Sequence, residues 1–259
     1  MSKYQNVTVT REGHVGVVVM CSAPVNALTF DLLDDLSGAF HELEADQDVW
    51  AVVLCSGMRL FAAGADLKNL AVVRRSGNLE TARHMQRVFL QIENFPHPVI
   101  CAVNGVALGG GLELALSCDL RVFTAKTKVG FPEGGLGIIP GAGGTQRLSK
   151  LIGLGAAKRL IYTSETIRGE EAYRLGMCEY LADEDACLAK AMGVAATICT
   201  KAPLAVAADK KCINYSREHT LMDGLEYEQN LSGDIFETED KSEGIASFLE
   251  KREANFQNK

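Results

Sequence analysis

The sequence predicts an α/β core followed by a helical C-terminal region. Short, continuously apolar and β-branched runs alternate with helical patterns in the first half of the chain, which is typical of strands buried on both faces. After about residue 140 the strand signals fade and helical periods dominate. At 259 residues the chain is close to the upper size for one hydrophobic core. Periodicity alone therefore favours a doubly wound sheet with a helical appendage.

Each element rests on its own local pattern. The apolar runs predict strands at residues 15–20, 51–55, 99–103 and 120–123. Thr29 can cap a helix over 30–44, and a second helix over 79–93 ends before Pro96, as the backbone restriction before proline requires. Helices are also predicted over the C-terminal segments 184–200, 203–216, 221–238 and 242–252.

Two glutamates carry most of the functional signal. Glu113 follows Gly109-Gly110-Gly111, and Glu133 precedes Gly134-Gly135, 20 residues further along. A carboxylate among apolar and glycine neighbours loses hydration, so its pKa should rise into a range useful for general acid or base work. Taken alone, either residue could be an ordinary helix or loop acid. If both acids line one cleft, they supply a proton donor and a proton acceptor together.

The segments around these glutamates closely resemble the enoyl-CoA hydratase/isomerase (crotonase) superfamily. The similar segments are 61–68, 97–105, 109–115, 131–148, 243–245 and 248–252. The resemblance implies a spiral of ββα repeats over 1–200 and a helical trimerisation region over 201–259. It also implies a homotrimer or a homohexamer, and the apolar stripe of the predicted helix 221–238 needs such a partner.

The Gly109-Gly110-Gly111 run precedes a helical pattern, so it places free helix N-terminal amides where a ligand can approach closely. Such amides stabilise a developing enolate oxygen, although a tight packing turn would give the same pattern. The resemblance implies an oxyanion hole made by the N–H groups of Ala65 and Gly110. It also implies that Glu113 holds and deprotonates the attacking water, while Glu133 exchanges the proton at Cα.

The resemblance further implies which residues line the substrate path. They are Val25, Ala27, Ala63, Asp66, Leu67, Lys68, Val106, Gly109, Pro132 and Gly141. Lys68 and the pair Lys251 and Arg252 are candidates for contacting the CoA phosphates, although each could equally be a solvated surface charge. The glycines at 141–144 match neither a P-loop nor a dinucleotide fingerprint. No separate cofactor is therefore predicted, because CoA is part of the substrate.

Charge and cysteine usage limit the other function classes. The formal net charge of −7 argues against nucleic-acid binding. It therefore also argues against the alternative that this chain is a non-catalytic, RNA-binding member of the family. The eight cysteines form no CxxC pair, and no histidine lies at metal-ligand spacing, so we expect reduced thiols, no metal and a cytoplasmic protein. No apolar run approaches the roughly 20 residues of a membrane helix, and no membrane partner is predicted.

We therefore predict an enoyl-CoA hydratase that adds water across the 2,3-double bond of an acyl-CoA thioester to give a 3-hydroxyacyl-CoA. An enoyl-CoA isomerase is one alternative, but many isomerases of this family keep only one acid of the pair. A specialised hydratase of cyclic dienoyl-CoA or branched enoyl-CoA substrates would carry the same motifs. The five histidines give no pattern that supports a Ser-His-Asp hydrolase.

Overall fold

The computed structural model describes residues 3–65 and 71–259. The strands within these ranges are β1 Val7–Glu12, β2 Val15–Met20, β3 Ala51–Ser56, β4 Val99–Val103, β5 Val106–Leu108, β6 Leu120–Thr124, β7 Lys128–Gly130, β8 Thr166–Arg168 and β9 Tyr180–Ala182. The α-helices are α1 Phe30–Glu44, α2 Arg75–Glu93, α3 Gly110–Ser117, α4 Gly144–Ile152, α5 Leu154–Thr163, α6 Gly169–Arg174, α7 Cys187–Ile198, α8 Pro203–Tyr215, α9 Leu221–Phe236 and α10 Glu239–Glu250. A short 3₁₀ helix spans Pro132–Leu136.

The main sheet has the strand order β1-β2-β3-β4-β6-β9. All its neighbouring strands are parallel except β1 and β2, which form an antiparallel pair at one edge. The strand order advances in one direction along the chain and never reverses. A doubly wound sheet reverses its strand order at a switch point, so the topology suggested by periodicity alone is wrong.

The main sheet is covered on both faces, as its continuously apolar strands predict. In β3, Val52 and Leu54 face the larger core together with α1 and α2, whereas Ala51, Val53 and Cys55 face the smaller core against α7. This alternation follows from the two-residue period of a strand. It leaves no polar face and explains why the run 51–55 is apolar throughout.

A second, three-stranded sheet of order β5-β7-β8 positions the two glutamates. Strands β5 and β7 are parallel, and their last residues, Leu108 and Gly130, are paired in register. The chain leaves β5 into α3, which carries Glu113, and leaves β7 into the 3₁₀ helix, which carries Glu133. Because parallel strands end at the same edge, the two acids lie side by side despite their 20-residue separation.

Most predicted elements are confirmed. Helix α1 has the predicted bounds, and the Thr29 side chain accepts a hydrogen bond from the Leu32 N–H as its cap. Helices α7 to α9 lie within the predicted C-terminal segments. Helix α10 begins three residues earlier than predicted, at Glu239, and α2 begins four residues earlier, at Arg75. The expectation that strands end after about residue 140 is wrong, because β8 and β9 occur there. Each contains three residues, too few for a two-residue alternation to be recognised.

Candidate active site

Glu113 lies in the first turn of α3 and is almost fully buried, with 2% of its surface exposed. Its Oε1 atom accepts hydrogen bonds from the N–H groups of Ala142 and Gly144, at 2.8 and 2.7 Å. Burial raises the pKa of Glu113 above its ordinary value and outweighs the two amide bonds and the Arg147 charge, which lower it. Among the described residues, no donor reaches Oε2, so this oxygen can accept a hydrogen bond from a ligand.

Glu133 is buried beneath Gly109. A Cβ atom on Gly109 would lie 2.5 Å from Glu133 Oε1, and Gly109 has a φ of +51°, so only glycine fits this position without strain. The Oε2 atom is buried and has no hydrogen-bond partner in the described part of the chain. Burial is the main cause that raises the pKa of Glu133 to about 7; the residue's own backbone N–H lowers the pKa, and the nearby Glu113 charge makes a smaller raising contribution. Glu133 can therefore hold a proton near neutral pH.

Two backbone amides converge beside the acids. Gly110 is the first residue of α3, where the N–H has no partner within the helix. A Cβ on Gly64 would lie 3.4 Å from the Gly110 nitrogen, and a Cβ on Gly110 would lie 3.7 Å from the Ala65 nitrogen. Within residues 3–65 and 71–259, neither the Ala65 nor the Gly110 N–H donates a backbone hydrogen bond. Two neighbouring amides that donate to no described backbone group can together bind one oxygen atom.

A model of the enoyl-CoA hydratase/isomerase family matches residues 10–259. The chain belongs to this family. It is 39% identical over 249 residues to the short-chain-enoyl-CoA hydratase of Clostridium acetobutylicum, with 95% of each chain covered. It is 38% identical over 255 residues to the crotonyl-CoA hydratase of Syntrophomonas wolfei, with 98% of each chain covered.

A solved structure of enoyl-CoA hydratase from Bacillus anthracis is similar at a TM-score of 0.95 and 34% identity. The match covers 98% of this chain and all of that one. The predicted crotonase-like fold is confirmed by this likeness. The division into a core over 1–200 and a trimerisation region over 201–259 stays a prediction.

In this enoyl-CoA hydratase/isomerase family member, the segment before α1 fixes the loop that carries Ala65. Asn26 is fully buried with a φ of +48°, and its side-chain amide donates to Ser56 Oγ and to the Phe61 carbonyl, at 2.8 and 2.9 Å. Its Oδ1 accepts from the Ser22 N–H at 2.8 Å. Asn26 was not among the predicted site residues, although asparagine is enriched in left-handed backbone.

The predicted substrate-path residues fall into three groups. The backbones of Val25, Ala27 and Ala63 lie along the Ala65 loop, with the Ala63 N–H donating to the Val25 carbonyl at 3.1 Å. The remaining described members lie in β5, directly before α3, in the 3₁₀ helix and in the loop before α4: Val106, Gly109, Pro132 and Gly141. Asp66, Leu67 and Lys68 lie outside the described residues.

Arg252 of the C-terminal basic pair has acidic partners within this chain. Arg252 forms ion pairs with Glu243 and Glu250, at 2.6 Å each. Both acids would compete with a CoA phosphate for this guanidinium. Lys251 ends α10 in a left-handed conformation, with a φ of +55°.

Sequence reasoning missed the residues that hold Glu113. The amides of Ala142 and Gly144 come from the glycine run 141–144, of which the resemblance implied only Gly141, as a substrate-path residue. Helix α4 begins at Gly144, with Gly143 in a left-handed conformation before it. No group of three or more histidine, cysteine, aspartate or glutamate side chains that could hold a metal ion occurs among the described residues. No single helix there has the length and apolar character needed to span a bilayer.

Proposed function

We propose that this protein is an enoyl-CoA hydratase that adds water across the 2,3-double bond of an acyl-CoA thioester and forms a 3-hydroxyacyl-CoA. The single observation that carries the proposal is the pair of buried acids, Glu113 and Glu133, beside two free amides. The similarity to the short-chain-enoyl-CoA hydratase of Clostridium acetobutylicum and the crotonyl-CoA hydratase of Syntrophomonas wolfei supports the same reaction.

The chemistry begins with polarisation of the thioester. The N–H groups of Ala65 and Gly110 would bind the carbonyl oxygen and stabilise the negative charge that develops there. Glu113, ionised and oriented by its two amide donors, would bind the attacking water through Oε2 and take one of its protons as the oxygen–C3 bond forms. The electron pair of the double bond moves toward the thioester oxygen and gives an enolate.

The reaction ends with proton transfer to C2. Glu133, with its pKa raised to about 7, would donate its proton there as the enolate collapses. One water is consumed, and the proton taken up by Glu113 balances the proton given by Glu133. The acids titrate as a pair, so the observed pKa values belong to both.

The presence of both acids favours hydration over isomerisation. An isomerase only moves one proton between carbons, and one carboxyl can do this. A second carboxyl beside the first has a clear role when a water must be held and deprotonated. A specialised hydratase of cyclic dienoyl-CoA or branched enoyl-CoA would use the same site, with selectivity set by the acyl pocket.

The substrate would supply its own CoA, so no separate cofactor is proposed. The CoA moiety would follow Val25, Ala27 and Ala63, and Lys68 remains a candidate for contacting its phosphates. The eight cysteines, all free thiols, are consistent with the cytoplasm as the place of action.

The C-terminal helices support assembly into a trimer or a dimer of trimers. Helix α9 buries none of its residues within the single chain, and Leu221 and Met222 are 77% and 72% exposed. Cavities of about 600 and 530 Å³ lie where α8 meets α2 and α4. An apolar helix face without a core of its own is typical of a surface covered by another subunit.

Labelled water tests the proposed reaction. In H₂¹⁸O, a 2-enoyl-CoA should yield a 3-hydroxyacyl-CoA that carries the label on C3, and Glu113→Gln should suppress its formation. Mass spectrometry of crotonyl-, longer, branched and cyclic dienoyl-CoA substrates would measure both reaction and preference. The contrary result is that the double bond of a 3-enoyl-CoA migrates while no 2-enoyl-CoA gives a labelled product. That result would show that the protein is an isomerase and refute the proposed hydratase function.

A further inference from the structure

The orientation of Glu113 depends on a loop that is distant from it in sequence. Both donors to its Oε1 are backbone amides, from Ala142 and Gly144. A backbone amide cannot rotate independently of its chain, so any shift of this loop moves the carboxylate. The groups that hold the loop therefore determine where the bound water would lie.

Arg147 holds this loop from beneath. Its Nη1 donates to the Ala142 carbonyl at 3.0 Å, so the same residue that donates to Glu113 accepts from Arg147. A Cβ on Gly143 would lie 2.2 Å from Nη1, so the guanidinium packs directly against the loop backbone. Arg147 is buried, with 8% of its surface exposed, and has little freedom to adopt another position.

Glu93, at the end of α2, fixes the guanidinium in turn. Its Oε2 accepts from Arg147 Nε and Nη2, at 3.1 and 2.7 Å, which is a two-point contact that sets the plane of the guanidinium. Its Oε1 pairs with Arg217, which follows α8, and its backbone carbonyl accepts from Asn214 at 3.2 Å. Burial raises the pKa of Glu93, but the two arginines together lower it by more. The pKa therefore lies below its ordinary value, and this carboxylate remains charged.

We propose that Arg147 is a positioning residue for the hydration reaction: held by Glu93, it fixes the Ala142 and Gly144 amides that orient Glu113. The inference rests on the proposed role of Glu113. Arg147 reaches no reacting atom itself and acts through the Ala142 carbonyl. Its positive charge also stabilises the ionised form of Glu113, which is the form that accepts the proton from water.

The chain offers a matched control in Arg121. This arginine is 3% exposed, pairs with Glu179 and donates to the carbonyls of Cys118, Asp119 and Met177. Like Arg147, it is buried, pairs with a glutamate and donates to backbone carbonyls, but it makes no hydrogen bond to the loop 141–144. Loss of either arginine should destabilise the fold by a similar amount.

The experiment compares Arg147→Gln with Arg121→Gln in the full-length protein, using crotonyl-CoA hydration. Arg147→Gln should lower kcat by about 100-fold, as expected for a misplaced catalytic group, with KM changed by less than about threefold. It should also shift the acidic limb of the kcat–pH profile to higher pH, because Glu113 loses a stabilising charge. Arg121→Gln should change neither kcat nor the profile.

A conservative variant separates charge from geometry. Arg147→Lys keeps the charge but cannot make the two-point contact with Glu93 while also bonding Ala142. It should return the acidic limb toward its original pH and leave kcat lowered. If circular dichroism shows that Arg147→Gln does not fold, Arg147→Lys replaces it in the comparison with Arg121→Gln, with kcat as the measured quantity.

Two outcomes would overturn the inference. One is a folded Arg147→Gln or Arg147→Lys enzyme with unchanged kcat and pH profile, and the other is an effect of Arg121→Gln on kcat and the pH profile equal to that of Arg147→Gln. Glu113→Gln, measured in parallel, keeps this failure distinct from failure of the proposed function. If Glu113→Gln is inactive while the Arg147 variants are normal, only the positioning role falls, whereas an active Glu113→Gln would refute the acid-pair mechanism itself.

Discussion

The buried carboxyl of Glu133 couples folding to pH. Its ordinary pKa of 4.5 is raised to about 7 in the folded protein, mainly by burial. The folded state therefore binds this proton more tightly than the unfolded state. The contribution of this proton to the free energy of unfolding is complete below pH 4.5 and is lost as the pH rises through 7. The total change is about 3 kcal/mol.

Replacing Glu133 with glutamine should remove this pH dependence. The unfolding free energy of Glu133→Gln relative to the unmodified protein should increase by about 3 kcal/mol between pH 4.5 and pH 8. Urea unfolding at both pH values and one fixed protein concentration measures this difference. A difference that stays constant across the range would mean that the carboxyl is hydrated in solution.

The same acids should dominate turnover. Glu113→Gln and Glu133→Gln each remove a proton transfer with little change of volume. We expect kcat to fall by roughly 10²–10⁴-fold in each variant, with KM for crotonyl-CoA nearly unchanged. Steady-state kinetics on protein checked by circular dichroism would measure the loss, and a near-normal rate in either variant would contradict the two-acid mechanism.

Gly109 links backbone geometry to the position of Glu133. In Gly109→Ala the new Cβ would meet Glu133 Oε1 at 2.5 Å, so the acid must move. Gly153 is a suitable control, because it also has a backbone conformation that disfavours side chains, with a φ of +81°, but nothing lies within 4 Å of its Cβ position. Both alanine variants should lose stability.

Activity should separate the two glycine variants. We expect kcat to fall by about 100-fold in Gly109→Ala and to remain close to normal in Gly153→Ala. Hydration kinetics on folded protein would measure the difference. Equal kinetics in the two variants would indicate that Glu133 tolerates displacement.

At the scale of elements, Asn26 connects the segment before α1, the end of β3 and the Ala65 loop. Asn26→Ala removes three hydrogen bonds and places alanine at a φ of +48°, whereas Asn26→Gly removes the bonds but accommodates the backbone. Both variants should lower kcat/KM through displacement of the Ala65 amide. The free energy of unfolding of Asn26→Ala should be about 1 kcal/mol lower than that of Asn26→Gly. Thermal unfolding and steady-state kinetics measure these effects. A normal kcat/KM in both variants would mean that the loop carrying Ala65 keeps its position without the Asn26 hydrogen bonds.

The elements differ in how well the sequence predicts them. Strands β2, β3, β4 and β6 are visible because both of their faces are buried, which makes each run apolar. Strands β8 and β9 are too short for a pattern, and the strand order depends on packing between distant elements. Periodicity therefore could not provide the spiral, which came from resemblance.

The site shows the same distinction. Glu113 and Glu133 stand out because charged residues are unusual in glycine-rich apolar runs. Arg147 and Glu93 are 54 residues apart, and each lies on a helix where a charged residue is ordinary. Only the folded chain reveals that they meet beneath the loop 141–144, whose amides orient Glu113.

At the scale of the whole molecule, the exposed α9 surface predicts self-association. Light scattering at micromolar concentration should give three or six times the chain mass. The double variant Leu221→Glu/Met222→Glu should dissociate the assembly, because it places charge on a face that a partner would bury. A stable monomer of the unmodified protein would contradict the trimer.

In the proposed mechanism, the acid pair makes the direction of the reaction independent of pH. The two carboxyls would share one proton before hydration and one proton after it, and only its location would differ. Acidity therefore sets the fraction of enzyme that can react, and it does so equally for addition and for loss of water. The concentrations of the two thioesters alone determine the net direction of the reaction, so the enzyme would serve hydration and dehydration equally at any pH.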